Sequence, residues 1–152
     1  MSATEQETTA KEIVIGIDLG TTNSMAAYVG ERGLEVVESG ETTTAIPSVV
    51  GLNGEDILIG ADALNQRLTN PNNTFYSFKR FMGRGLEDIQ DDLSHLPYSV
   101  QKGSQDNLTL GPDHKTPEEL SAIVLNEIKA RAEQVLGVEV KKAVITVPAY
   151  FD

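Results

Sequence analysis

The chain has 152 residues, 39% of them apolar and 23% charged, which is the length of one domain with enough apolar surface for a core. Its 12 basic side chains against 23 acidic ones give a formal charge of −11, which argues against binding a nucleic-acid backbone or an anionic membrane surface. It contains no cysteine, so disulfides, thiolate metal sites and a cysteine nucleophile are excluded within it.

Residues 1–11 are rich in Thr and Glu and are expected to be a disordered tail. They lack the basic start and apolar core of a secretory signal and the arginines of a transit peptide, and no segment approaches the roughly twenty apolar residues of a membrane span. A cytoplasmic location is the expectation. Ile13-Val-Ile-Gly-Ile17 is then a nearly unbroken β-branched run, which predicts a strand buried on both faces. It leads into Asp18, Gly20 and a hydroxyl cluster. Gly20 can take backbone angles that other residues avoid, so the amides of Thr21, Thr22 and Asn23 can turn toward a bound anion. A carboxylate beside a phosphate makes sense with a hydrated Mg²⁺ between them, because Mg²⁺ keeps several waters and uses few protein oxygens. An ordinary hairpin turn has the same composition. No Walker loop and no Gly-x-Gly-x-x-Gly fingerprint after a strand occurs.

Met25–Gly30 and Leu34–Glu38 read as strands joined by a turn at Gly30–Gly33, which makes an antiparallel meander. Ser48–Leu52 and Ile57–Ile59 flank an Asn53-Gly54 hairpin signal, and Pro47 belongs at a strand's beginning or edge. Ala61–Leu68 has the spacing of a short helix. Phe75, Phe78, Phe81 and Met82 are spaced as one helical face, with Lys79 and Arg80 displaced from it. By composition alone Lys79 is a solvated lysine, though Lys79, Arg80 and Arg84 could form a local positive patch.

From Gly85 to Pro117 the chain is polar and punctuated, with a short helix near Leu86–Leu93 and exposed strands around Tyr98–Val100 and Leu108–Leu110. His95 and His114 fall here, without acid–histidine ligand spacing, and read as surface side chains. Thr116-Pro-Glu-Glu119 is a capping box with proline at the first helical position. The helix should run to about Leu136 and stop at Gly137, with Leu120, Ile123, Val124, Glu127, Ile128, Arg131 and Val135 on its core side. Lys141–Val147 reads as a buried strand ended by Pro148.

Ile15–Ser24 resembles the first phosphate motif of the DnaK-type 70-kDa heat-shock chaperones. Thr44–Val50, Asn70–Arg84 and Ala143–Phe151 resemble further segments of that family in the same order. The resemblance covers the chain from about Glu12 onward. It implies an α/β fold: an actin-like, ribonuclease-H-related ATPase lobe with a mixed sheet, flanking helices and a smaller peripheral subdomain at roughly 48–118. It implies an ATP-dependent chaperone, with ATP or ADP and Mg²⁺ as cofactors. Asp18, Gly20, Thr21, Thr22 and Asn23 would face the phosphates, with Asp18 holding Mg²⁺ through water. Lys79 would reach the γ-phosphate and the attacking water, Arg80 would be structural or at an interface, and Pro148 would be a hinge relaying nucleotide state. Client polypeptides, a J-domain co-chaperone and a nucleotide exchange factor are the implied partners.

Asp152 stands where family members often have Asn, and Phe81–Gln90 and His95–Tyr98 with Phe151-Asp152 lean toward the branch specialised for iron–sulfur cluster assembly. Relative to the family the chain is expected to be truncated, ending before the second phosphate motif, the acidic residues that orient water, the adenosine pocket and the peptide-binding domain. A naturally short, non-catalytic binding module with the same lobe fold is the alternative. The Lys79–Arg84 and Val147–Phe151 segments disfavour a sugar kinase or an actin-like filament protein.

Overall fold

The computed structural model describes residues 12–38, 45–147 and 149. The Thr/Glu-rich start and Pro148 therefore lie outside the described residues. Strands β1 (Val14–Leu19), β2 (Asn23–Gly30) and β3 (Gly33–Val36) form the expected antiparallel meander, with Ile17 opposite Ala26 and Val29 opposite Leu34. The two-residue strand β4 (Ile46–Pro47) pairs with the start of β2, and Pro47 lies at that sheet's margin. The last strand, β10 (Lys142–Ile145), runs parallel to β1 on its other side, with Ile145 opposite Ile17, so the order across the sheet is β10-β1-β2-β3.

A second sheet has β5 (Val49–Asn53) between β6 (Asp56–Ile59) and β7 (Thr74–Tyr76), all antiparallel. The Asn53-Gly54 signal makes its hairpin: Asn53 pairs with Asp56 and leaves a two-residue turn. Helix α1 (Ala61–Asn65) continues into a 3₁₀ turn at Gln66–Leu68, and the Gln66 amide donates to the Thr74 hydroxyl at 3.0 Å, tying that turn to β7. A 3₁₀ turn at Leu86–Ile89 and helix α2 (Gln90–Leu93) precede a hairpin of β8 (Val100–Lys102) and β9 (Leu108–Leu110).

Helix α3 (Pro117–Leu136) has the predicted ends. The Thr116 hydroxyl accepts from the Glu119 amide at 3.1 Å, the Glu119 carboxylate accepts from the Thr116 amide at 2.8 Å, and Gly137 closes the helix at φ 68°. Its Leu120, Val124, Ile128 and Ala132 share one core with Ile15, Ile17 and Leu19 of β1 and with Phe75, Phe78 and Phe81. That packing turns the helix further than the apolar spacing suggested. Ala132 is buried, while Val135 is exposed and Glu127 and Arg131 form a half-buried pair at 2.6 Å.

Four other expectations are corrected. β1 is buried on one face only: Ile15, Ile17 and Leu19 point to the core, while Val14 is 45% exposed and shares the outer face with Gly16 and Asp18. β10 is exposed along its whole length: it is an edge strand in this sheet, Val144 lies on the outer face beside Gly16, and Ala143 and Ile145 line an open cavity beside α3. The phenylalanine segment is no helix. Phe75 lies in β7, Ser77 takes a left-handed conformation at φ 57°, and Phe78–Phe81 is a 3₁₀ turn, whose three-residue repeat produces the same spacing. Finally, β9 is buried rather than exposed, and so is Tyr98. The Tyr98 hydroxyl donates to the Tyr76 carbonyl at 2.5 Å, and its ring meets Phe75 edge-on at 5.2 Å. Burial pushes its pKa above the ordinary tyrosine value.

Candidate functional site

The end of β1 is where the predicted site residues meet. The strand's alternation puts the Asp18 carboxylate on the outer, exposed face, one residue before the chain leaves the sheet. Thr146, directly after β10, holds it: the Thr146 amide donates to the Ile17 carbonyl at 3.0 Å and the Thr146 hydroxyl donates to Asp18 Oδ1 at 3.0 Å. The carboxylate is thus oriented by the residue that follows the neighbouring strand, while Asp18 as a whole remains exposed.

The turn from Gly20 to Thr22 follows. A Cβ on Gly20 would sit 2.0 Å from the Asn23 carbonyl oxygen, a backbone atom that cannot swing away, so only glycine fits this tight turn. Thr22 is exposed and Asn23 opens β2. Behind the turn lies Ser48, which is buried and bonds it twice. Its hydroxyl donates to the Gly20 carbonyl at 2.8 Å and its amide donates to the Thr22 carbonyl at 2.8 Å. Ser24, also buried, has its hydroxyl 2.7 Å from that of Ser48. A hydroxyl carries one proton, and Ser48 has committed its own to Gly20, so Ser24 is the donor in that contact.

Lys79 reaches the same strand end from the 3₁₀ turn, whose Phe78 and Phe81 are buried anchors. Its ammonium donates to the Leu19 carbonyl, between Asp18 and Gly20 in sequence. It also lines a cavity of about 170 Å³ between α3 and the ends of β1 and β10, together with Leu19, Met82, Ser121, Thr146 and Val147. The solvated-lysine reading is therefore replaced by a half-buried lysine joined to β1. Arg80 points elsewhere and pairs with Asp92 at 3.0 Å. His95 and His114 are exposed and lie outside this site, and Pro148 lies outside the described residues.

This donor set is all oxygen apart from one ammonium. Among the described residues no three His, Cys, Asp or Glu side chains converge to hold a metal, so a cation here would meet the single carboxylate of Asp18 through water and keep water or ligand oxygens in its coordination positions. That is the coordination Mg²⁺ accepts. Sequence reasoning missed Ser24, Ser48 and Thr146. Thr146 had a visible signal, as the polar residue interrupting an apolar strand end, whereas Ser48 after Pro47 read only as the opening of a strand.

Comparison with known proteins places this geometry in a family. The family model described as "Hsp70 protein" matches residues 14–152. The chain is 43% identical over 145 residues to the chaperone protein DnaK of Stenotrophomonas maltophilia, covering 91% of this chain and 23% of that protein. It is 41% identical over 143 residues to the chaperone protein DnaK of Psychrobacter cryohalolentis, covering 91% of this chain and 22% of that protein. It thus spans less than a quarter of the length of these curated relatives. With the family model matching nearly the whole chain, the protein belongs to the Hsp70 family of DnaK-type chaperones, and its fold is part of that family's actin-like nucleotide-binding domain.

Proposed function

We propose that this chain forms one wall of the ATP-binding cleft of an ATP-driven chaperone. The observation that carries the reading is the convergence at the end of β1 of an accessible carboxylate, a glycine-dependent turn and an ammonium. The turn amides of Thr21, Thr22 and Asn23 bind phosphate oxygens. Asp18, oriented by Thr146, would hold a Mg²⁺ ion through water, and that ion would supply positive charge against the phosphates when ATP or ADP is bound. Lys79 is a compact cation with three donors, suited to charge spread over phosphoryl oxygens. Its bond to Leu19 keeps it at the strand end until a better acceptor arrives.

Phosphoryl transfer needs positioning from several converging segments, so one wall binds nucleotide weakly or not at all. The subdomain at about 48–118, centred on the second sheet, flanks the cleft, and Pro148 is the hinge that carries nucleotide state onward. Client polypeptides, a J-domain partner and an exchange factor belong to the cycle of the complete chaperone. A non-catalytic binding module is the second reading, favoured by one observation, the exposed apolar side chains of β10 and Val147.

The test is calorimetric titration with Mg-ATP, on this chain and on a chimera in which it replaces the matching stretch of a DnaK relative. We expect little or no binding to the chain alone, and binding to the chimera that Asp18→Asn weakens at least tenfold in Mg²⁺ but hardly in EDTA, on the order of the loss expected for one charged contact. A chimera that does not bind ATP overturns the reading, and micromolar binding to the chain alone overturns the claim that one wall is insufficient.

A further inference from the structure

We infer that Ser48, distant in sequence from the phosphate turn, is the positioning residue that aims the turn's amides at the ligand. The inference rests on the phosphate-site reading above and deepens it. Ser48 is 2% exposed and spends both its hydrogen-bond donors on the turn: the hydroxyl on the carbonyl of Gly20, the amide on the carbonyl of Thr22. A trans peptide is planar and its N–H points opposite to its C=O. Fixing the Gly20 carbonyl toward Ser48 therefore directs the Thr21 N–H away from Ser48. Fixing the Thr22 carbonyl does the same for the Asn23 N–H. One buried side chain and its own backbone thus set the two peptide planes on either side of the Thr21–Thr22 pair, and both amides face away from the 46–48 segment.

Ser24 adds support from the side. Its hydroxyl donates to Ser48 Oγ at 2.7 Å, which satisfies an acceptor that is cut off from water and polarises the Ser48 O–H toward Gly20. The register explains why this residue is available at all: β4 pairs with the start of β2, placing Pro47 opposite Asn23, and because successive N–H groups of an extended chain point to opposite sides, it is the position after Pro47 that faces the Thr22 carbonyl. The next residue, Ser48, supplies the N–H. Ser48 also immediately precedes β5, so the turn is hydrogen-bonded to the root of the second sheet.

A purely structural serine and a positioning serine differ in what they do to phosphate. In the chimera, Ser48→Ala removes the proton that holds Gly20 and leaves the backbone bond to Thr22. It should weaken Mg-ADP binding about tenfold while leaving adenosine binding within about twofold, because adenosine carries no phosphate for the amides to meet. Ser24→Ala, which keeps the Ser48–Gly20 bond, should cost Mg-ADP less than about threefold. Equal losses for Mg-ADP and adenosine, or no loss for either, overturn the inference. Should Ser48→Ala fail to fold, NMR-detected hydrogen exchange on the unsubstituted chimera decides instead: the Thr21 and Asn23 amides must be protected more in Mg-ADP than in adenosine, and equal protection overturns the inference. An unsubstituted chimera that binds Mg-ADP no tighter than adenosine marks failure of the phosphate-site reading itself.

Discussion

Lys79 shows how one residue's role depends on the element that presents it. In sequence it is one cation beside another, and nothing in its spacing separates it from Arg80. In the fold the 3₁₀ turn sends Lys79 to the Leu19 carbonyl and Arg80 outward to Asp92. Removing a single preorganised charge donor from a phosphoryl-transfer site typically costs about 10²–10³ in rate. Lys79→Ala in the chimera is therefore expected to slow single-turnover ATP hydrolysis by about that factor while ADP affinity changes only a few-fold. A mutant that hydrolyses normally would remove Lys79 from the chemistry. Tyr98 carries a residue-scale prediction of stability. Its hydroxyl pKa is raised in the folded state, first by burial, so the folded protein holds that proton at pH values where the unfolded chain has released it. The contribution is complete below the unfolded value of about 10 and is lost as pH rises through it toward the folded value. Tyr98→Phe lacks this titration. Its unfolding free energy, measured by urea titration, should fall less steeply than that of the unsubstituted chain above about pH 10, and parallel curves would count against it.

At the scale of elements, legibility followed how much information was local. Helix α3 could be read to the residue, because a capping box, a proline at its first turn and a closing glycine are all short-range signals. Thr116→Ala removes one reciprocal cap and should cost about 1 kcal/mol, lowering Tm by roughly 2–4 °C for a domain of this size. Calorimetry showing no change would mean that the capping box is redundant. The phenylalanine segment was misread because i, i+3 spacing serves a 3₁₀ turn as well as an α-helix, and the left-handed Ser77 that separates β7 from the turn has no compositional mark. The burial of β9 was hidden by its polar neighbours: Leu108, Thr109 and Leu110 are covered by tertiary packing that no local pattern encodes. The same distinction applies to the site. Asp18 and Gly20 were legible as a strand end and a turn, whereas Ser48 matters only because β4 folds against β2.

At the scale of the whole molecule, two opposing forces act on the isolated chain. The outer side of the large sheet offers exposed apolar groups, with Val144 69% and Val147 62% accessible beside Val14, and β10 is an edge strand. Such a surface favours association through apolar contact and edge-to-edge pairing. Against it stands a formal charge of −11 on 152 residues, which keeps copies apart. The apolar attraction is short-ranged and little affected by moderate salt, whereas repulsion between exposed charges is screened over about 30 Å at 0.01 M and about 8 Å at 0.15 M. Salt therefore decides which force wins. Sedimentation velocity should find a monomer at about 0.01 M salt and a growing fraction of dimer or larger species at about 0.5 M. Val144→Lys sits on the exposed strand, puts a charge where a second copy would pack and barely alters net charge, so it should keep the chain monomeric at both salt concentrations. Association that is equal at low and high salt would show that charge does not restrain it. Association that survives Val144→Lys would place the contact elsewhere on the molecule.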